Sequence, residues 1–418
     1  MTGGTSEASV RAVPMVVHKY GGTSLGSIER IRAVARRVLA ERRAGNDIVV
    51  VASAMAGETD RLLGLAREVC GDPDRREADV LASSGEQVAV ALLAMAIKNL
   101  GGDAVSLLGH QVRMVTDSLH SRAHIRRVES ERLLDVLRRG QIPVVAGFQG
   151  IDDNGDVTTL GRGGSDTTAV AVAAALGAEC CEIFTDVDGV YTADPGICPN
   201  ARRIAQISHE EMLELAAGGA KVLQFRSVEF ALRYGVRIRV RSSFDDGPGT
   251  WVVPESECME QPIVSGVALE RNEAQVTLVE VPDRPGVAAE VFRPLAEAGI
   301  VIDMIVQNAA NAGSTDLTFT VARSDLHRAV SLVHGPAESV GARRVVSDEN
   351  IAKVSVAGLG MRSQPGVAQK MFDLLAAESI NIVMISTSEI KISCVVEARE
   401  GERALRVLHD GFGLGERD

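Results

Sequence analysis

Thr158–Ala169, TTLGRGGSDTTA, is the stretch from which the rest of the chain is read. Gly161, Gly163 and Gly164 carry no Cβ, so backbone N–H groups there can approach an anion closely. Ser165 is placed to cap a helix expected over residues 166–176, DTTAVAVAAAL. The start of such a helix offers unpaired donors and the positive end of a dipole. Arg162 adds a planar fork that fits a carboxylate or a phosphate. Asp166 would repel a phosphate, so its place here makes sense if it holds a Lys or a metal that does the binding. Taken alone, the stretch also reads as a Gly-rich turn before an ordinary helix. It has no G-K-[ST] ending and is not a P-loop.

The flanking sequence alternates strand and helix. Val16–Tyr20 reads as a strand, Gly21–Ser24 (GGTS) as a turn, and Ile28, Ile31, Val34, Ala35, Val38 and Leu39 recur at helical spacing. Lys19 stands at the strand end before that turn, where open α/β sheets hold phosphate. Gly3–Ser6 repeats GGTS without a strand before it. The apolar run Ile48–Ala52 ends in SAMAGETD, with Ser53 and Thr59 as candidate hydroxyl contacts. Ala82–Gln87, ASSGEQ, precedes an apolar helix expected over 88–100. That puts Glu86 in a first turn, where it suits the dipole or grips an ammonium group.

Further strands are expected over 103–108 and 142–146, with a helix over 130–139 between them. Asp152–Asp156, DDNGD, signals a hairpin. A strand over 179–185 leads to Asp186 and a loop, 187–196, that carries Tyr191. Ser208 and Glu211 form a capping box. After Gly218–Gly219, Lys221 is expected to open a helix to Tyr234; a Lys in a first turn opposes the dipole unless an anion sits there. With a last strand over 236–241, the pattern means an α/β fold with a mainly parallel sheet and helices on both faces.

The chain has 418 residues, enough for two or three domains. A formal net charge of −12 and 3% aromatic residues argue against nucleic acid as a partner. The six Cys form no C-x-x-C pair, and reduced thiols in a cytoplasmic protein are expected. Residues 1–14 have no apolar core for a signal peptide and read as a disordered extension; no run suggests a membrane span.

Residues 245–262 hold Asp, Gly and Pro and read as a linker. An internal repeat follows. Val276–Gln307 and Val354–Ser386 each run strand, Pro-Gly-Val, helix, turn, Ile-rich strand, with Pro285, Gly286 and Val287 matched by Pro365, Gly366 and Val367. Each unit reads as a ferredoxin-like β-α-β-β-α-β module, expected over 263–344 and 345–418.

Five segments in order, KYGGTS (19–24), SAM (53–55), SGE (84–86), GRGGSDT (161–167) and TDVDGVYTADP (185–195), resemble the aspartokinase family. That family belongs to the amino-acid kinase superfamily, and the tail resembles tandem ACT domains. The resemblance spans nearly all of the chain after Met15. It implies a three-layer αβα catalytic domain over 15–244 and two α+β ACT domains. It also implies transfer of the γ-phosphoryl group of ATP, with Mg²⁺, to the β-carboxylate of L-aspartate.

Carried onto this sequence, the resemblance makes Lys19, Arg162 and Asp166 catalytic. It gives Thr59, Glu86, Arg162, Gly163, Gly164 and Ser165 to aspartate. ATP falls to Lys19, Tyr20, Gly21, Gly22, Ser53, Thr185, Asp186, Tyr191, Asp194 and Lys221. It implies a lysine and/or threonine effector at Asp283, Gly286, Ala288, Gln307, Asn308, Asn381, Ile382 and Ser388, and a homo-oligomer formed through the ACT domains. The loop 309–314 is short and Val383 replaces an acid of some relatives, so the effector stays open. Some relatives make the regulatory half as a separate subunit from an internal start; Met259 could serve as one, although a chance Met is the simpler reading. Two other readings compete: a kinase of the same superfamily acting on another substrate, and a catalytically dead amino-acid sensor.

Overall fold

The computed structural model describes residues 13–258, 262–308 and 313–415. Most of the expected N-terminal extension, Met259 and most of the 309–314 loop therefore lie outside the described residues. The chain divides into two compact units. The first holds residues up to Val190, Arg203–Leu213 and Lys221–Met259; the second holds the remainder.

In the first unit, β1 Met15–Tyr20, α1 Ile28–Arg43, β2 Asp47–Ala52, α2 Glu58–Val69, α3 Arg75–Asn99 and β3 Ala104–Leu107 open the chain. After them come β4 Met114–Thr116, β5 Ile125–Val128, α4 Glu131–Arg138, β6 Ile142–Ala146, β7 Gln149–Ile151, β8 Val157–Thr159, α5 Gly164–Leu176 and β9 Cys180–Thr185. β10 Gln206–Ser208, α6 His209–Ala217, α7 Phe225–Tyr234, β11 Ile238–Ser242 and β12 Thr250–Val253 complete the set, with the end of α6 grouped in the second unit. Among the described residues, eight strands form one sheet in the order β10-β12-β11-β9-β1-β2-β6-β3.

All neighbours in that sheet are parallel except β11 and β12. Apolar residues of α1 and α3 share one core with Val16, Tyr20, Ile48, Val50, Ile142 and Val144, while α5 packs on the other face of β1, β2 and β9. This is the expected three-layer sandwich. The expected hairpin pairs β7 with β8 in a smaller sheet, β5-β4-β7-β8.

Parallel register sets the site. Tyr20 lies opposite Ala52, which lies opposite Ala146, so the chain leaves β1, β2 and β6 side by side at their carboxyl ends. Ligands of open α/β sheets bind at such ends.

The second unit contains β13 Gly266–Glu270, β14 Glu273–Pro282, α8 Val287–Glu297, β15 Ile302–Gln307, β16 Ser314–Ala322, α9 Leu326–Val340 and β17 Arg344–Asp348. β18 Ile351–Ala357, α10 Val367–Ala377, β19 Met384–Thr387, β20 Lys391–Glu397 and α11 Gly401–Gly411 follow. The sheets are β15-β16-β14-β17 and β13-β18-β20-β19. The repeated Pro-Gly has a conformational reason: Gly286 and Gly366 cap α8 and α10 at φ 94° and 91°, which disfavours residues with a Cβ.

The structure corrects several boundaries. The stretch expected to be a linker holds β12, a strand of the main sheet. β13 pairs with β18, so the edge strand of the second ferredoxin-like sheet precedes the whole first module in sequence. β17 pairs with β14, so the expected cut after residue 344 passes through a strand of the first module. α3 starts at Arg75, capped by Asp74, and is long and apolar enough to cross a membrane by length and composition. Leu93, Ile97 and Ala89 on it are fully buried in the first unit's core, as in the core helix of a soluble protein.

The two ferredoxin-like sheets are joined by buried charge. Lys353 of β18 bonds Glu273 of β14 at 2.9 Å and also Asp303 of β15, with its side chain only 4% exposed. Beside it, Met304 and Val306 of β15 pack on Ile351, Met384 and Val395 of the other sheet. Removing one partner of a buried pair strands the other charge. Lys353→Met should therefore destabilise the second unit by about 3–5 kcal/mol, read as a lowered urea or thermal midpoint.

Candidate active site

At the carboxyl ends of β1, β2 and β6 lies a cavity of about 300 Å³. Its wall includes Lys19 near the end of β1 and Gly22 after it, residues 53–57 after β2 with Thr59 and Asp60 of α2, and Phe148 after β6. Glu86 of α3 and residues 161–166 at the start of α5 close it. Two helix starts, those of α2 and α5, thus border one space.

Alternation along β1 turns Lys19 away from His18 and Tyr20. Its Nζ lies 2.6 Å from Asp166 Oδ1 in the first turn of α5, with both side chains about one-tenth exposed. The acid does hold a Lys, which answers the question posed by its place at an anion site. Arg162 is exposed on the cavity wall. Glu86 is 3% exposed. Its Oε1 accepts from the Ala54 N–H at 3.1 Å, while its Oε2 has no hydrogen-bond partner in the protein. Burial pushes the Glu86 carboxyl up to about 7.

The Gly-rich turn is shaped by close packing. Gly163 caps α5 at φ 71° and lies so close to the Gln224 side chain that a Cβ would clash with it. Arg226 braces the approach, donating to the Leu160 carbonyl at 2.6 Å and the Ala123 carbonyl at 3.0 Å. Asp79 of α3 braces it from the other side. It accepts from the Ser121 N–H at 3.0 Å, the Thr159 N–H at 3.1 Å and the Thr159 hydroxyl at 2.6 Å, and lies 2.9 Å from His120 Nδ1.

The expected site residues divide sharply. Lys19, Gly22, Ser53, Thr59, Glu86, Arg162, Gly163, Gly164, Ser165 and Asp166 all line the cavity. Four details differ from expectation. The Tyr20 ring is fully buried and stacks on Phe184 at 4.8 Å, so only its main chain, with that of Gly21, stays near the turn. Ser165 does not cap α5: it lies inside a helix that begins at Gly164, and Gly163 is the cap. Glu86 lies mid-way along α3, not in a first turn, because the helix starts eleven residues earlier at Arg75. Lys221 is in an exposed turn outside the cavity lining; α7 starts at Phe225, with Gln224 as its cap.

Thr185 ends β9 and Asp186 follows it, exposed, while Tyr191 and Asp194 belong to the second unit. Sequence reasoning did not single out Phe148, Asp60, Gln224 or Asp79. Phe148 had a usable signal: an aromatic after Gly147 at a strand end, in a chain with few aromatics. It adopts φ 66°, uncommon for a residue with a side chain.

The chain matches the amino acid kinase family over residues 14–242 and the ACT domain over 275–334 and 354–412. It is 55% identical over 401 residues to the aspartate kinase of Pseudomonas putida, covering 96% of this chain and 98% of that one. The chain belongs to the aspartokinase family. The aspartokinase of Mycobacterium tuberculosis is 50% identical over 406 residues, covering 96% of each chain. Among solved structures, E. coli aspartokinase III in complex with aspartate and ADP is 29% identical, with a TM-score of 0.79 over 95% of this chain and 99% of that one. The same enzyme in complex with lysine and aspartate is 28% identical, with a TM-score of 0.73 and the same coverage. This family member is accordingly a kinase with a pair of ACT domains.

Proposed function

We propose that the cavity binds L-aspartate and that the enzyme transfers the γ-phosphoryl group of ATP to its β-carboxylate. The observation that carries this reading is the cavity's charge pattern. A buried carboxylate with an unused oxygen, Glu86, shares the space with the Arg162 guanidinium and the Lys19–Asp166 pair. A free α-amino acid presents the complementary charges. Its ammonium suits Glu86, its α-carboxylate suits Arg162, and its side-chain carboxylate is left for Lys19 and the N–H groups at the start of α5. Thr59, Gly163, Gly164 and Ser165 complete the aspartate pocket in this proposal.

In the transfer step, a β-carboxylate oxygen forms a bond to Pγ, the bond from Pγ to the β,γ-bridging oxygen breaks, and ADP leaves with that electron pair. The acceptor is already an anion at neutral pH, so no general base is required. The protein's task is positioning and neutralising charge. Lys19 does the second, and Asp166 holds it there. Gly21, Gly22, Ser53, Thr185, Asp186, Tyr191, Asp194 and Lys221 are proposed for the nucleotide. The Mg²⁺ would enter on phosphate oxygens, its usual manner in kinases.

The ACT pair is proposed to sense lysine and/or threonine. Asp283, Gly286 and Ala288 are exposed at the turn into α8, and Gln307 and Asn308 at the end of β15. Asn381 and Ile382 precede β19, and Ser388 follows it. The edge strands β15 and β19 expose Ile305 and Ile385, and a second copy of the chain is proposed to cover them.

In a coupled assay of ADP release, Lys19→Met should lower kcat roughly 10²–10³-fold. Turnover of N-acetylglutamate equal to that of aspartate would reject the substrate assignment. Glu86 attracts an ammonium group only when ionised, so aspartate binding should be strongest above pH 7. KM for aspartate should then rise by up to about tenfold per pH unit as pH falls through 7. Glu86→Gln should show a high KM that no longer varies across this range. Asp283→Ala should weaken inhibition by lysine or threonine while uninhibited turnover holds; unchanged inhibition by both would place the effector elsewhere.

A further inference from the structure

Arg76, Asp79, Ser83 and Glu86 recur along α3 at intervals of three and four residues, and so share one face of the helix. Glu86 ends this row at the cavity. The other three hold the small β5-β4-β7-β8 sheet. Arg76 pairs at 2.6 Å with Asp156 of the β7–β8 connection, where both side chains are partly exposed. The Ser83 carbonyl accepts from Nε2 of the buried Gln149 of β7 at 3.0 Å. Asp79 takes Thr159 of β8. Gln149 and Thr159 face each other on one rung of the β7–β8 ladder, so two successive turns of α3 grip a single rung.

Asp79 is the centre of this set. It is 2% exposed, and its two oxygens accept from the Ser121 N–H at 3.1 and 3.0 Å. By also accepting from the Thr159 N–H and hydroxyl, it fixes two chain segments at once. Ser121 adopts φ 69°, a left-handed conformation uncommon for a residue with a side chain and kept only where neighbours enforce it. The Ser121 carbonyl in turn lies against Gly161, at φ 77°, so closely that a side chain there would have little room. Thr159 and Gly161 lead directly into Arg162. One buried carboxylate therefore sets the course of the backbone that delivers the guanidinium.

Asp79 and Glu86 stand on one rigid element, two turns apart, about 10 Å along its axis. A helix does not stretch, so whatever Asp79 holds keeps a fixed offset from Glu86. We propose that Asp79 is a positioning residue that sets the separation between Glu86 and Arg162, and thereby selects ligands whose ammonium and carboxylate leave the same carbon. Thr159 is the residue through which it acts. The inference deepens the proposed aspartate pocket and rests on that reading. Every residue in it belongs to the first unit. Asp79 does not line the cavity, so it acts on a ligand only through the backbone it holds.

The test uses the full chain at saturating ATP, with folding followed by circular dichroism. The probe is 3-aminopentanedioate, which is aspartate with one methylene inserted between the amino-bearing carbon and the α-carboxylate. It is read as an inhibitor of aspartate turnover. Asp79→Asn keeps the side chain's size but replaces one acceptor by a donor, and Thr159→Val removes one hydroxyl. Each should raise KM for aspartate about tenfold while the inhibition constant of the probe stays within about twofold. Thr159→Ser keeps the hydroxyl and should hold both values near those of the native chain. A general weakening of the fold would shift both compounds alike, so an unchanged preference for aspartate over the probe in folded Asp79→Asn and Thr159→Val would overturn the proposal. Glu86→Gln is measured beside them. If it raises KM for aspartate while Asp79→Asn and Thr159→Val behave as the native chain, the pocket stands and the positioning role is overturned. If Glu86→Gln leaves KM unchanged, the aspartate pocket itself is wrong and the positioning role falls with it.

Discussion

The rest of the site depends on the ion pair between Lys19 and Asp166. Each charge would be costly alone. A lone ammonium this far from solvent would be poorly solvated, and a lone carboxylate would repel the anions that the first turn of α5 otherwise attracts. Paired at 2.6 Å, they keep a charged Lys at the end of β1, beside the loops that leave β2 and β6. The pair also ties the first strand of the unit to its fifth helix, so chemistry and topology share one contact. Buried pairs add little net stability on average, which makes positioning the better account of this one.

Much of this was legible in the sequence because its signals are local. Strand and helix alternation gave the sandwich, and the Ser208–Glu211 capping box is present, with the Glu211 N–H donating to Ser208 Oγ at 3.1 Å. The misreadings occur where function overrides local pattern. Ala82–Gln87 looks like a polar break before a helix. It is instead the middle of α3, where Glu86 faces the site and Gly85 lies against Ala54. Tyr20 adjoins Lys19 in sequence, but strand alternation sends neighbouring side chains to opposite faces. Lys221 follows a Gly pair and suggested a helix start, yet Gln224 caps α7 and packs on Gly163.

Strand exchange in the tail was not legible for a different reason. The 80-residue repeat shows which segments are alike, since equivalent positions carry the same Pro-Gly-Val. It does not show which strand pairs with which. β13 fills an edge position in the sheet of β18 although the complete β14–β17 module intervenes in the chain. Hydrogen bonding between distant strands leaves only a weak trace in local composition. The same limit hid the attachment of residues 191–202, whose Asp and Gly content suggests a surface loop while Ala193 and Cys198 are core residues.

Glu86 shows what such a site costs. Its carboxyl is raised from 4.5 to about 7 by burial, so the folded state holds its proton more tightly than the unfolded chain does. Between those two values the folded form binds more protons, and stability falls as pH rises. Above about 7 the loss is complete, on the order of 3 kcal/mol. A bound ammonium reverses the sign, because it stabilises the ionised form that burial opposes. An N-acylated amino acid carries no such charge and would leave Glu86 buried and uncompensated. Under the proposed assignment, the cost of ionising Glu86 is what a ligand with an ammonium group relieves and an acylated ligand of similar shape does not.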